Sequence, residues 1–247
     1  MGSNTPANGL NDDRIDAAVL VTNDDGIGAE GLRVLREVAG TCFREVWTVA
    51  PAGAMSQVGH RVTTDTPLRI EERGERVFAV EGTPADCTRV ALAHLMPCRP
   101  AWVFSGVNHG GNLGRHDFAI SGTVAAVREA AFAGIPGVAY SHFLKRGVAV
   151  DWEWAAAACE RAFRALAEIT SAAGDFWTVN LPHRHPGDRE AELVFCEQER
   201  HPLLVAYEQV GEGELLYVGD YHERPRRPGS DVDVCFGGDI AVCQVSV

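Results

Sequence analysis

Residues 17–28 read Ala-Ala-Val-Leu-Val-Thr-Asn-Asp-Asp-Gly-Ile-Gly. The first six are almost wholly apolar and show no alternation, which is the pattern of a strand buried on both faces. A polar turn with glycine follows, and residues 29–39 then carry Leu32, Leu35 and Val38 at helical spacing. A second apolar run, 45–50, stops at Pro51. Further along, short strands are expected near 68–70 and 77–80, and a helix over 84–95 with Pro84 in its first turn. A strand at 102–105 runs into a loop holding Gly106, Gly110, Gly111 and Gly114. The pattern continues with a helix at 122–133, a strand at 137–141, a long helix at 151–172 and a strand at 176–181. Strands alternating with helices predict an α/β fold, a doubly wound and mostly parallel sheet.

After Pro182 the texture changes. Segments 193–197, 203–210, 214–218 and 239–247 read as strands without helices between them, with Gly211-Glu-Gly213 as a hairpin turn. The expected organisation is a disordered leader over 1–16, a catalytic core over 17–181, and a β-rich extension over 182–247. That extension is expected to pack on the core and to serve oligomerisation, as a homodimer or homotetramer, because its apolar strands lack helical cover.

The chain has 247 residues, 46% hydrophobic and 23% charged, an ordinary composition for a globular protein. Its 22 basic and 34 acidic residues leave a net charge of −12, which argues against nucleic acid polymers as partners. Lys145 is the one lysine and has no Gly-rich loop before it, so a P-loop is excluded. The seven cysteines form no Cys-x-x-Cys and read as small buried hydrophobes of a reducing compartment. No apolar run approaches the length of a membrane span. The first residues lack the apolar segment of a signal peptide, and Pro6 stands where a myristoylation signal needs Ser or Thr. A cytoplasmic protein is expected.

In an open parallel sheet, ligands bind beyond the carboxyl ends of the strands. The first exit carries Asp24-Asp25, the second leads to Ser56, and the third runs through Ser105 to Asn108. The loop beyond delivers Ser121-Gly122-Thr123 onto a helix start. Adjacent carboxylates repel unless a proton or a cation neutralises them. Together with Ser and Asn oxygens they form a hard donor set suited to Mg²⁺ or Mn²⁺. Read alone, Asp24-Asp25 is better taken as a solvated turn, and Ser121 is equally a plain helix cap; the convergence of exits reverses the balance toward the site. A helix start rich in small residues presents free N–H groups to an anion, so cation and cradle together point to phosphate chemistry. A bulky residue at Gly122 should then block the anion and leave the cation's ligands untouched.

Two other readings compete. Gly26-Ile-Gly28-Ala-Glu-Gly31 has the dinucleotide-binding spacing, but the second strand ends in Ala50-Pro51 with no acid for a ribose. A haloacid-dehalogenase-like phosphatase needs a second Asp two residues after the first, and Gly26 and Ile27 stand there.

Six motifs in order settle on a resemblance. They are Val21-Thr-Asn-Asp-Asp-Gly-Ile27, Val49-Ala-Pro51 with Ser56, Gly82-Thr-Pro-Ala-Asp-Cys87, Ser105-Gly-Val-Asn108, Gly111-Asn-Leu-Gly114 and Ser121-Gly-Thr-Val-Ala-Ala126, with Gly229-Ser-Asp231 a weaker seventh. The chain resembles the SurE family of metal-dependent nucleoside monophosphate phosphatases, also called 5′/3′-nucleotidases or acid phosphatases. The resemblance implies one divalent cation on Asp24, Asp25, Ser56 and Asn108, with Asp24 or Asp25 orienting or deprotonating the attacking water. It implies substrate phosphate at Ser121, Gly122 and Thr123, with Ser105 and Asn112 shaping the pocket. The substrate would be a nucleoside monophosphate or another small phosphomonoester. His60 and His109 would be structural or substrate-contacting, and His183-x-His185 surface residues. Ile120 stands where the family carries Tyr, which leaves a nucleotide-binding protein without efficient turnover as the alternative.

Overall fold

The central strand β1 (Ile15–Thr22) runs parallel to β2 (Phe43–Pro51) on one side and to β5 (Trp102–Asn108) on the other. The computed structural model describes residues 13–145, 148–185 and 187–247. Around β1 the sheet grows outward through β4 (Val77–Val80) to β3 (Ile70–Gly74) on the β2 side. On the β5 side it continues through β6 (Gly137–His142), β7 (Asp175–Leu181), β11 (Ile240–Ser246) and β8 (Leu193–Phe195). The strands from β4 to β7 are parallel; β3 and β11 each pair antiparallel with a neighbour. The doubly wound, mostly parallel sheet is therefore as expected. The chain leaves β1 toward β2 and later returns to its other side at β5, so the gap between these two strands is the topological switch point.

Alternate residues of β1 serve opposite layers, which is why the whole run is apolar. Val19 and Val21 pack with Leu32, Leu35 and Val38 of α1 (Glu30–Cys42) and with Phe163 and Leu166 of α5 (Trp152–Ala167). Leu20 faces the other layer, with Cys87 of α2 (Pro84–Val90), Ala91 of the π turn that extends it to Leu95, and Ala130 of α4 (Gly122–Phe132). The third glycine of the apparent dinucleotide motif has a packing role. A Cβ on Gly31 would lie 1.9 Å from the Val107 carbonyl oxygen, so α1 rests directly on the backbone of β5.

Several boundaries differ from the sequence reading. β1 begins at Ile15, inside the expected leader, whose residues 1–12 lie outside the described residues. Helix α5 stops at Ala167, short of 172, where Ile169, Thr170 and Ser171 weaken helix propensity. Two short helices were not foreseen, α3 (Gly114–Ile120) and α6 (Asp231–Phe236). α3 depends on distant partners: its Gly114 N–H donates to Asp231 and its Arg115 N–H to the Glu199 carbonyl. Past Pro182, β8 and β11 join the main sheet, residues 203–206 are not strand, and β9 (Tyr207–Gly211) with β10 (Glu214–Tyr217) makes a separate antiparallel hairpin. Among the described residues no helix is long and apolar enough to cross a membrane.

Candidate active site

The exit of β1 is a tied turn. Asn23 donates to the Gly26 carbonyl at 2.9 Å and accepts from the Gly26 N–H at 3.2 Å, which holds Asp24 and Asp25 at its bend. The neighbouring exits are fastened to the same turn. The Met55 N–H donates to the Asp24 carbonyl at 2.7 Å and so brings Ser56 alongside. The His109 N–H donates to Asp25 Oδ2 at 3.0 Å and draws in the end of β5. Asn108 spends its Nδ2 on the Gly110 carbonyl at 2.7 Å, which leaves its Oδ1 free as a donor atom for a cation. Asp24, Asp25, Ser56 and Asn108 thus meet on the wall of one cleft of about 720 Å³, at the switch point of the sheet.

The residues expected to bind phosphate divide. Ser121 and Asn112 line the cleft; Ser105, Gly122 and Thr123 do not. Asn112 is held by Asn180, which accepts from its N–H at 2.9 Å, and by Ser141, which accepts from its Nδ2 at 2.8 Å. Ser105 is fully buried in β5 between Thr22 and Ala139, and its hydroxyl has no partner. Ser121 caps α4 by accepting from the Val124 N–H at 3.1 Å. Thr123 instead serves Asp24: its hydroxyl donates to Asp24 Oδ1 at 2.6 Å, and its backbone N–H also favours that carboxylate. Gly122 lies against Asp24, so the idea that bulk at 122 would spare the cation's ligands is corrected: a Cβ there would meet Asp24 Cβ at 2.9 Å.

Asp24 is 5% exposed, and burial pushes its carboxyl up to about 6; the Thr123 bond opposes the rise and neighbouring Asp25 adds to it. Such a pair resists its own negative charge until a cation arrives. The donor set fits that purpose: two carboxylates with oxygens not committed to Thr123 or His109, a free amide oxygen and a hydroxyl, all hard ligands. Among the described residues no three His, Cys, Asp or Glu side chains gather as a metal set, in keeping with a site completed by Ser and Asn.

Much of the remaining cleft lining was not read from the sequence. It includes His116 and Asp117 of α3, with Leu203, Val205, Tyr207, Tyr217 and Tyr221; Ile120, singled out by the sequence as a departure from the SurE pattern, lines it as well. Asp117 accepts from the Tyr221 hydroxyl at 2.8 Å and from the buried Arg224 at 2.7 Å. These residues had no local signal, because they are gathered across about a hundred positions of sequence. His60 is structural, paired with Glu129 at 2.8 Å. The surface reading holds for His185 but not for His183, which is 3% exposed and packs against His142 at 5.7 Å.

A doubly wound α/β domain with an acidic, oxygen-lined cleft at its switch point defines a class of small-ligand proteins. Within that class the chain belongs to the SurE family: the family model described as survival protein SurE matches residues 19–203. A Synechocystis sp. protein is 47% identical over 228 residues, covering 92% of this chain and 99% of its own. The 5′-nucleotidase SurE of Rhodospirillum rubrum is 45% identical, covering 94% and 90%. The crystal structure of the SurE protein from Aquifex aeolicus superposes with a TM-score of 0.78 at 27% identity over 93% of each chain.

Proposed function

We propose that this chain is a 5′-nucleotidase that hydrolyses nucleoside monophosphates with one divalent cation, Mg²⁺ or Mn²⁺, on Asp24, Asp25, Ser56 and Asn108. The observation that carries the reading is the meeting of those four side chains, from three strand exits, in one cleft. The relative from Rhodospirillum rubrum, named 5′-nucleotidase SurE, supports the same reaction. A bound cation supplies positive charge to the phosphoryl oxygens and lowers the pKa of water. The chain's own residues do the rest. Asp25, the less buried carboxylate, accepts the proton of the attacking water, while Thr123 holds Asp24 in one rotamer. Ser121, at the start of α4, lines the cleft, so the dipole of that helix favours the phosphate there without a lysine. Tyr207 and Tyr217, which line the same cleft, offer ring surface to the nucleoside.

The exposed apolar side chains of the hairpin, among them Val210 at 59% and Leu215 at 66%, favour a homodimer or homotetramer. The seven free cysteines accord with a reducing, cytoplasmic setting. Phosphate release from a panel of nucleoside monophosphates, with Mn²⁺, with Mg²⁺ and with EDTA, tests the reaction. Release that depends on the cation is expected. Tight nucleotide binding with no release would replace the enzyme by a binding protein, and NADH binding in EDTA would revive the dinucleotide reading.

A further inference from the structure

On the far side of the sheet from its switch point, the register of β8 against β11 pairs Phe195 with Val242, and the next residues are both cysteines. The Cys196 N–H donates to the Val242 carbonyl at 2.9 Å, and the Cys196 and Cys243 sulfurs lie 3.8 Å apart. Neighbouring strands run about 4.8 Å apart. That spacing lies inside the Cα separation of roughly 4.4–6.8 Å which a disulfide spans. The pair therefore meets the Cα condition for a disulfide, with its sulfurs already in contact. The two thiols are unequal. Cys243 is 2% exposed, whereas Cys196 is half-buried and lines a groove of about 420 Å³ with Arg115 and Arg200 on its walls. Arg200 reaches Glu197 at 3.1 Å, while the Arg115 guanidinium has no ion pair among the described residues.

We propose that Cys196 and Cys243 form a redox-active dithiol that reacts with small anionic disulfides in this groove and closes to an intrachain disulfide. The Cys196 thiolate attacks one sulfur of the reagent, its disulfide breaks, and the departing thiolate takes up a proton. Cys243 then gives up its proton and attacks the Cys196 sulfur, the Cys196–Cys243 bond forms, and a second thiolate leaves. Two protein thiols are oxidised by two electrons, and one small disulfide is reduced to two thiols. The order follows from position: the attacking sulfur is the one in the groove and the resolving sulfur lies behind it.

The product would staple the three-residue edge strand β8 to β11. That strand leads straight into Glu197 and Glu199, and the Glu199 carbonyl anchors the α3 wall of the cleft through Arg115. The bond is therefore a reversible latch beside the segment that holds α3.

The test equilibrates the protein carrying Cys98→Ser, which removes the exposed thiol, with glutathione disulfide, followed by intact mass and peptide mapping. The expected product has lost two hydrogen atoms and yields a peptide linked through 196 and 243. Cys243→Ser should stop at a stable glutathione adduct on Cys196, and Cys196→Ser, at the half-buried position, should give neither product. Arg115→Ala should slow the reaction with glutathione disulfide more than that with neutral hydroxyethyl disulfide. A pair that stays reduced in the Cys98→Ser protein while Cys98 of the unsubstituted protein reacts would overturn the dithiol, and equal slowing with both reagents would overturn its preference for anions.

Discussion

Gly122→Ala adds one methyl group at a point where the structure has no space. The new carbon would lie 2.9 Å from Asp24 Cβ, 3.1 Å from Asp24 Oδ2 and 3.1 Å from Pro84 Cγ. Carbon atoms in contact settle near 3.5–4.0 Å, so the overlap is roughly half an ångström or more. Neither neighbour yields freely. Pro84 begins a helix clamped by a capping box between Thr83 and Asp86, and Asp24 is held by Thr123 at 2.6 Å and by the Met55 N–H on its carbonyl. The strain should cost about 1–3 kcal/mol of stability. Displacing the cation-holding Asp24 carboxylate by about 1 Å should lower kcat/KM on the order of a hundredfold. The assay is a paired one on a folded variant: Mn²⁺ affinity by calorimetry and nucleotidase kinetics. Both should fall together. Weakened phosphate binding with unchanged Mn²⁺ affinity would refute this reasoning and return Gly122 to a purely anion-binding role.

Asp24→Asn and Asp25→Asn should each reduce turnover at least about a hundredfold, since each removes a charged ligand of a hard cation; near-normal rates in both would remove the proposed site. Burial depresses His142 from 6.5 to about 4, so it is neutral in both folded and unfolded chains at pH 7. As pH falls from about 6.5 to about 4 the unfolded chain gains a proton that the folded one refuses, at a loss of about 3 kcal/mol. Urea midpoints at pH 7 and pH 4.5 should therefore diverge more for wild type than for His142→Gln, and identical slopes would discard the assignment. Asp117→Ala strands the buried Arg224 cation and should cost about 3–5 kcal/mol, much of it recovered by also replacing Arg224 with Met; no recovery in the double variant would show that the pair is not the cause. Leu215→Glu with Leu216→Glu on the hairpin should shift the sedimenting species toward monomer, and an unchanged assembly would place the interface elsewhere.

The sequence by itself determined the layers of the fold and one wall of the cleft. Residues 17–22 specify a two-sided strand through an apolar run, and Thr83-Pro84 specify a helix start through capping; both signals act within a few residues and survive in the linear text. The same locality made Asp24, Asp25, Ser56 and Asn108 legible, because each follows a recognisable strand and parallel topology brings strand exits to one edge. What only the tertiary structure decided depends on partners far away in the chain. Helix α3 exists where Asp231 and Glu199 satisfy its first N–H groups, and no local pattern announces that. Thr123 reads as a phosphate ligand from its helix start, yet its hydroxyl is claimed by Asp24, 99 positions earlier. Tyr207 and Tyr217 read as parts of an apolar extension until the hairpin brings them to the lining of the same cleft as the carboxylates. Ser105 follows a strand like the others, but β5 runs on to Asn108, and pairing of Ser105 with Thr22 and Ala139 on either side keeps its hydroxyl inside the sheet. A strand's presence is written in side-chain periodicity, whereas its end depends on which neighbours still offer hydrogen bonds, and that is a property of the assembled sheet.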